Sequence, residues 1–438
     1  MIIPLKQVKF RNWALVVVLG LLLASSSNIN WGAEHWRTVL QVDARGYYAY
    51  LPALLLEADP NFGSFEKNEL ELTKDPKMVY DYRHLHNERY INKYYIGTAI
   101  MELPFFTIAH IYAVLNGTGT EGWSKPYVVS VNLSAIALVM LGLWAMSRIL
   151  ESYGVSDLNV AFTLVSFAFG TNLFYYTVVA PGMSHAYSFG LCTAYLLHLR
   201  HLALQPSPRS WIASCVLLGA IILVRPVNGV ILLAMPIFLN DRLRIQGLTK
   251  MLKNAPMKAM IGVLAFSIVV SIQFIYYKVA TGDWVVYSYG EEGFNWAQPH
   301  WWDMLWSYRK GLFVYTPMTL LAFVGSPFLY RVSRRSLIAW SAFFVILTYL
   351  LSSWWNWWYG GSFGARVYVE FLSLFALPFG LALENLKGTL KRTFLVTAAL
   401  LVVFCQIQTY QARYYRIHWS DMDKERYWDE FLRIDRLP

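Results

Sequence analysis

Long apolar stretches recur along the whole chain, and they constrain the fold more than any other feature. A membrane-crossing helix needs about 20 mainly apolar residues, and these stretches approach that length. Hydrophobic residues make up 56% of the 438 residues and charged residues 15%, against about 25% charged in soluble proteins. The pattern therefore predicts an all-α polytopic membrane protein. The candidate stretches are roughly 13–29, 95–115, 127–147, 158–178, 185–203, 211–224, 227–239, 259–280, 311–330, 336–353, 367–384 and 393–410.

The distribution of basic residues indicates which stretches cross, because short cytoplasmic loops are rich in lysine and arginine. The basic loops fall on one side if 95–115, which contains Glu102, Pro104 and His110, does not cross. This choice predicts eleven spans, a cytoplasmic N-terminus and an extracytoplasmic C-terminus. The basic residues that it places on one side are Lys6, Lys9, Arg11, Arg148, Arg200, Arg209, Arg242, Arg244, Lys250, Lys253, Lys258, Arg331, Arg334, Arg335, Lys387, Lys391 and Arg392.

Two parts of this topology leave alternatives open. The first stretch has the basic flank of a signal peptide, but its length favours an uncleaved anchor. The short stretches 211–224 and 227–239 are interpreted as a hairpin that turns at Arg225 and Pro226. Either form of the first stretch leaves residue 30 outside.

The predicted organisation is a transmembrane domain over residues 1–410 and a polar extracytoplasmic tail over 411–438. Long outer loops lie at about 30–126 and 281–310. The chain has no internal repeat and no glycine-rich nucleotide loop, which weighs against a transporter and a nucleotide-driven pump. The net charge of +10 is explained by topology, so we expect membrane lipid and not nucleic acid as a partner.

The outer segments contain several polar residues beside helix ends. Asp43, among Tyr47 and Tyr48, is a candidate proton acceptor for a hydroxyl, or else a salt-bridge partner of Arg37 or Arg45. Lys93 precedes the non-crossing stretch, where a lysine either pairs with a lipid phosphate or simply reaches to the membrane surface.

Four more polar residues fall on the same predicted face. An arginine beside apolar stretches needs an anionic partner, either a phosphate or a carboxylate. Trp358 and Tyr359 are candidates to stack on a sugar, or part of an interfacial aromatic belt. No second ligand stands beside His185, so the sequence supports no metal site. The candidate anion-binding residues here are His185, Arg225, Arg309 and Arg366.

Several motifs, and the order in which they follow one another along the chain, resemble those of the GT-C superfamily of integral-membrane glycosyltransferases. Within that superfamily the chain resembles the bacterial relatives of protein mannosyltransferases and aminoarabinose transferases. The similarity extends from about residue 13 to 385. The motifs that carry it are the Asp43 loop after the first span, Lys93–Gly97 leading into Leu103–Phe105, Arg225-Pro226, Gly311–Pro317 and Trp358–Arg366.

The resemblance implies a polyprenyl-phosphate-linked sugar donor, an extracytoplasmic reaction and, for a bacterium, the inner membrane. It implies that Asp43 activates the hydroxyl of a lipid, glycan or protein acceptor, with inversion at the sugar. It implies that Lys93 contacts the donor phosphate, helped by Arg225 and Arg366. Many members have a second acid in the second outer loop, where this chain has His185. No cofactor is therefore expected, and a divalent metal lacks support.

Two other functions remain open at this stage. A transporter or flippase of a lipid-linked sugar would use the same cationic residues without the chemistry of Asp43. A catalytically silent subunit of a membrane assembly would fit the missing second acid. The sequence does not identify the sugar, the acceptor or the oligomeric state.

Overall fold

A computed structural model describes residues 9–435, and this part of the chain is almost entirely helical. Lys6 lies outside the described residues. The α-helices are Phe10–Asn30 (α1), Asp43–Leu55 (α2), Phe65–Thr73 (α3), Gly97–Leu115 (α4), Lys125–Ser152 (α5), Asp157–Phe169 (α6), Ser184–Leu204 (α7), Pro208–Val224 (α8), Met235–Phe238 (α9), Arg242–Asn254 (α10), Pro256–Thr281 (α11), Trp301–Trp306 (α12), Leu312–Tyr315 (α13), Met318–Val332 (α14), Arg334–Ser352 (α15), Leu372–Asn385 (α16), Gly388–Arg413 (α17) and Lys424–Asp429 (α18).

Short elements connect these helices. The strands Arg83–His86 (β1) and Arg89–Asn92 (β2) form an antiparallel hairpin in which Arg83 pairs with Asn92. A π-helical turn occupies Tyr175–Val179. The 3₁₀ helices are His35–Thr38, Pro76–Met78, Pro226–Ala234 and Arg366–Phe371.

The predicted fold class, an all-α polytopic membrane protein, is confirmed. Within residues 9–435, seven helices are long and apolar enough to cross a membrane, among them α1, α5 and α17. Four further apolar helices are shorter. The number of eleven crossings stays a prediction.

Contacts between helix ends define two faces of the bundle. Helices α5 and α7 run in the same direction, because Tyr187 bonds to Ser134 near their beginnings (2.8 Å) and Arg200 bonds to Ser152 near their ends (2.9 Å). We call the face that holds Ser152 and Arg200 the basic face. The face that holds the beginnings of α5 and α7 is the cavity face.

Helix α1 connects the two faces. Arg11 lies 2.7 Å from Glu151 at the basic face. At its other end, Asn30 bonds to Asn132 (3.1 Å) near the cavity face. The helix therefore extends from one face of the bundle to the other.

Helix α4 has both ends at the cavity face. Its first residue, Gly97, packs on the backbone of Leu223 and Val224, where a Cβ atom would lie 2.3 Å from main-chain atoms. Near its other end, His110 bonds to Tyr127 at the beginning of α5 (2.6 Å). The helix is apolar enough to span a membrane, but these contacts lay it along the cavity face.

The chain reverses direction at Arg225. Helix α8 ends at Val224, and the 3₁₀ helix Pro226–Ala234 returns toward the basic face. There Asn240 bonds to Ser336 near the beginning of α15 (2.6 Å). The proline cannot donate a main-chain hydrogen bond and so ends α8. Arg225 consequently stands at the tip of a hairpin.

Candidate active site

A cavity of about 530 Å³ opens on the cavity face. This volume lies within the range of small-molecule sites, about 300–1,000 Å³. Its walls come from the beginning of α2, the segment around Lys93, the hairpin tip and the loops 282–300 and 353–365. The charged and imidazole side chains that line it are Asp43, Lys93, His185, Arg225, Glu292 and Arg366.

Asp43 is the first residue of α2 and follows a strained residue. Val42 has φ 48° and ψ −118°, a conformation that a β-branched residue rarely adopts. Such strain costs about 1–3 kcal/mol and persists only where the surrounding structure imposes it. The strained residue Val42 directly precedes Asp43, whose carboxylate lies at the cavity wall.

The Asp43 carboxylate has partners on both oxygens. Tyr94 donates a hydrogen bond to Oδ1 at 2.7 Å, and Tyr80 makes a longer contact of 3.3 Å with the same oxygen. Arg366 Nη2 donates to Oδ2 at 2.9 Å. The sequence left two interpretations of Asp43, a proton acceptor or a salt-bridge partner of Arg37 or Arg45. Asp43 does form a salt bridge, but its partner is Arg366. The proposed partner Arg45 instead pairs with Glu69.

These contacts set the ionisation of Asp43. Burial by itself raises the pKa of the carboxyl, but the charge of Arg366 and the hydrogen bonds from Tyr94 and Arg366 outweigh it and hold the pKa below the ordinary 3.8. The charge of Lys93 acts in the same direction. Asp43 is therefore a carboxylate throughout the neutral pH range.

A pH profile tests this assignment. The ionised form is the one that accepts a proton, and a lowered pKa keeps it ionised to lower pH, so we expect the acid limb of kcat/KM below pH 3.8. Arg366→Gln should move that limb upward, since it removes the main lowering charge. The folded fraction at each pH is the control. An acid limb near pH 6–7 would contradict the assignment, because it is the range of an imidazole.

Glu370 forms a buried cluster with His185 and Arg225, and sequence reasoning missed it. Its Oε1 lies 2.9 Å from His185 Nδ1 and 3.1 Å from Arg225 Nη1. The Glu370 and His185 side chains are 0% and 1% exposed. Arg225 Nη1 also lies 3.2 Å from the same Nδ1 atom. Glu370, a carboxylate near the beginning of the apolar stretch 367–384, was the signal for this site.

Lys93 reaches the cavity from the segment after β2. Its Nζ lies 2.6 Å from Glu292 Oε1, and the two side chains are 23% and 27% exposed. The ammonium also lies 5.5 Å from the ring centre of Tyr289. Lys93 is thus an ion-paired residue of the cavity wall and not an unpaired lysine at the protein surface.

The cavity brings together most of the predicted site residues and excludes three. Tyr47 and Tyr359 line it. Tyr48 lies elsewhere, fully buried against Trp123, with its hydroxyl donating to the Gly122 carbonyl. Trp358 lies under Arg309, whose guanidinium carbon is 3.7 Å from the ring centre. Tyr48, Trp358 and Arg309 are absent from the cavity lining.

Arg309 belongs to a junction between the cavity loop and the chain's last described segment. It bonds to Ser420 O (2.8 Å) and Asp421 (3.2 Å). Lys310 Nζ donates to Trp419 O (2.6 Å), and Ser362 N donates to the same oxygen (3.0 Å). The predicted polar tail begins inside α17 and folds back onto loop 353–365, where it supports a wall of the cavity.

Metal ligands are sparse in the described structure. Among residues 9–435, no three His, Cys, Asp or Glu side chains gather as a cation site would require. Asp43 is held by an arginine and two tyrosines.

Comparisons with known proteins identify the fold. No protein-family model matches the chain, and no curated sequence matches it. The solved structures to which the chain is similar include ArnT from Cupriavidus metallidurans bound to undecaprenyl phosphate (15% identity, TM-score 0.52). They also include the oligosaccharyltransferase AglB from Archaeoglobus fulgidus, in complex with an inhibitory peptide and a dolichol-phosphate (10% identity, TM-score 0.50).

The similarity extends over most of this chain but over a smaller part of the two others. It covers 91% of this chain and 65% of ArnT, and 98% of this chain and 60% of AglB. The chain thus spans less than two thirds of either protein. The chain has the fold of these membrane proteins, which is the GT-C type of fold that the sequence motifs predicted.

Proposed function

We propose that the chain is a glycosyltransferase that moves a sugar from a polyprenyl-phosphate donor to an acceptor hydroxyl. The observation that carries this proposal is the Asp43 carboxylate, held by Arg366 in a cavity that also holds Lys93 and Arg225. The ArnT and AglB structures contain undecaprenyl phosphate and dolichol-phosphate, which supports a lipid phosphate as the anion.

The cations bind the donor phosphate, which is also the leaving group. When the bond between the sugar C1 and the phosphate oxygen breaks, its electron pair stays on the oxygen and the phosphate gains negative charge. Cations already in position stabilise that charge more in the transition state than in the ground state. Lys93 and Arg225 are the cations that we assign to this task, with His185 beside Arg225.

Asp43 accepts the proton of the acceptor hydroxyl as that oxygen attacks C1 from the opposite side, which inverts the configuration. Its lowered pKa makes it a weak base while Arg366 holds it. A phosphate that shares Arg366 takes part of that positive charge, so Asp43 becomes more basic when the donor is bound. The pairing of Asp43 with Arg366 thereby links proton acceptance to donor binding.

The cavity face is proposed to be extracytoplasmic. Arg148, Arg200 and Arg209 lie at or beside helix ends on the basic face, and the positive-inside rule assigns such ends to the cytoplasm. For a bacterium, we propose the inner membrane as the location, with the site on its outer side. Tyr47 and Tyr359 line the cavity and are the candidates for sugar or acceptor contacts.

The proposed reaction needs no metal ion. Both oxygens of Asp43 are occupied by Arg366, Tyr94 and Tyr80, so a divalent cation would have to displace these partners. The acceptor is a lipid, a glycan or a protein hydroxyl.

A donor panel tests the function. Purified protein is incubated with several polyprenyl-phosphate sugars, with and without a chelator, and sugar release or transfer is measured. We expect turnover of at least one donor, unchanged by the chelator. Movement of the intact lipid-linked sugar across liposomes without transfer would contradict the proposal and favour a transporter. Donor binding without turnover or movement would favour a silent subunit.

A further inference from the structure

The three cations of the cavity wall all have carboxylate partners. No lining lysine or arginine in the described structure is left unpaired, so an incoming phosphate must compete for at least one of them. The pairs are Arg366 with Asp43 (2.9 Å), Arg225 with Glu370 (3.1 Å) and Lys93 with Glu292 (2.6 Å).

The pair of Lys93 and Glu292 is the easiest of the three to open. Its side chains are 23% and 27% exposed, whereas Glu370 is 0% exposed. Breaking a buried pair leaves an uncompensated charge, but a partly exposed pair is replaced by water at small cost. Glu292 also lies in the non-helical loop 282–300.

The loop nevertheless keeps Glu292 near Lys93. The Tyr287 hydroxyl donates to the Glu292 carbonyl. On the other side, Phe294 forms a β-bridge with Trp354. Because the backbone is fixed on both sides, a displaced Glu292 side chain remains within reach of the lysine and can return to it.

We propose that Glu292 competes with the lipid phosphate for Lys93 and thereby promotes release of the polyprenyl-phosphate product; this inference rests on the proposed function. The donor is a phosphodiester with one negative charge. After the sugar leaves, the product is a monophosphate with a charge near −2 at neutral pH. It therefore binds the cations more tightly than the donor does, and the returning carboxylate lowers the cost of leaving Lys93.

The experiment measures equilibrium binding of labelled undecaprenyl phosphate to purified protein in detergent. We expect Glu292→Gln to bind about three- to tenfold more tightly than wild type. Glu291→Gln is the matched control, since it removes the same charge from the neighbouring exposed residue, which lies outside the cavity lining. We expect it to bind within twofold of wild type.

A second arm separates competition from a general charge effect. In a Lys93→Ala background, Glu292→Gln should give a much smaller gain, because the lysine for which the groups compete is gone. With a donor that turns over, Glu292→Gln should also lower kcat by slowing product release. A pre-steady-state burst, in which product of the first turnover forms faster than in the steady state, would show that product release is slow.

The outcomes distinguish the two proposals. If Lys93→Ala weakens binding but Glu292→Gln binds like wild type, or more weakly, Glu292 does not compete and the inference is overturned while the proposed function stands. If Lys93→Ala changes nothing and no donor turns over, the proposed function fails. Should Glu292→Gln not fold, Glu292→Asp retracts the carboxylate from Lys93 and must show a smaller gain of the same sign.

Discussion

Asp43→Asn is expected to lower transfer about 10²–10⁴-fold, the contribution of a well-placed general base. Asparagine has nearly the same shape and retains an oxygen that accepts from Tyr94, so the cavity should keep its form. It cannot take the acceptor proton at neutral pH. Donor binding should be kept or strengthened, because Arg366 loses its charged partner and is free for the phosphate.

Asp81→Asn is the matched control for this variant. Asp81 also pairs with an arginine, Arg83, at 2.9 Å, but its side chain is 50% exposed and lies outside the cavity lining. We expect its transfer rate to stay within about twofold of wild type. Transfer by Asp43→Asn at the wild-type rate, with donor bound, would exclude Asp43 as the base.

Glu370→Leu is expected to cost about 3–5 kcal/mol of unfolding free energy, the range seen when one partner of a buried ion pair is removed. Arg225 would lose its carboxylate partner, and His185 would lose its contact with that carboxylate. The midpoint of thermal unfolding in detergent measures the change. Glu384→Leu, near the end of α16 and more exposed, should cost less because water replaces its contacts.

A double variant distinguishes a charge effect from poor packing. Replacing the whole buried pair by apolar residues is often neutral, so Glu370→Leu with Arg225→Leu should regain part of the lost stability. The regained part is the coupling energy between the two sites. A double variant that loses the sum of both single costs would show that the charges of Glu370 and Arg225 do not interact.

Sequence reasoning predicted the parts of the fold that depend on local chemistry. Glu102, Pro104 and His110 marked α4 as a poor span, and the helix lies along the cavity face. Pro226 indicated where α8 ends and where the chain reverses direction at Arg225. Such residues act through their own backbone or charge, so no knowledge of distant contacts was needed.

The site was harder to predict, because the side of the membrane on which a residue lies does not tell where its side chain points. Tyr48 follows Tyr47 directly, yet a helix turns successive residues apart, and only Tyr47 lines the cavity. Arg309 shares the face of Arg225 but pairs with Asp421. Glu370 joins His185 across 185 positions of sequence, a distance at which spacing carries no information.

The segment that braces loop 353–365 has a consequence for the order of synthesis. Trp419 and Asp421 are translated after every residue that lines the cavity. Chains emerge from the ribosome at about 5–20 residues per second and fold from the N-terminal side. A nascent chain therefore holds the cavity residues before it has the brace, and ribosome stalling before Trp419 should yield a protein whose cavity wall is unsupported.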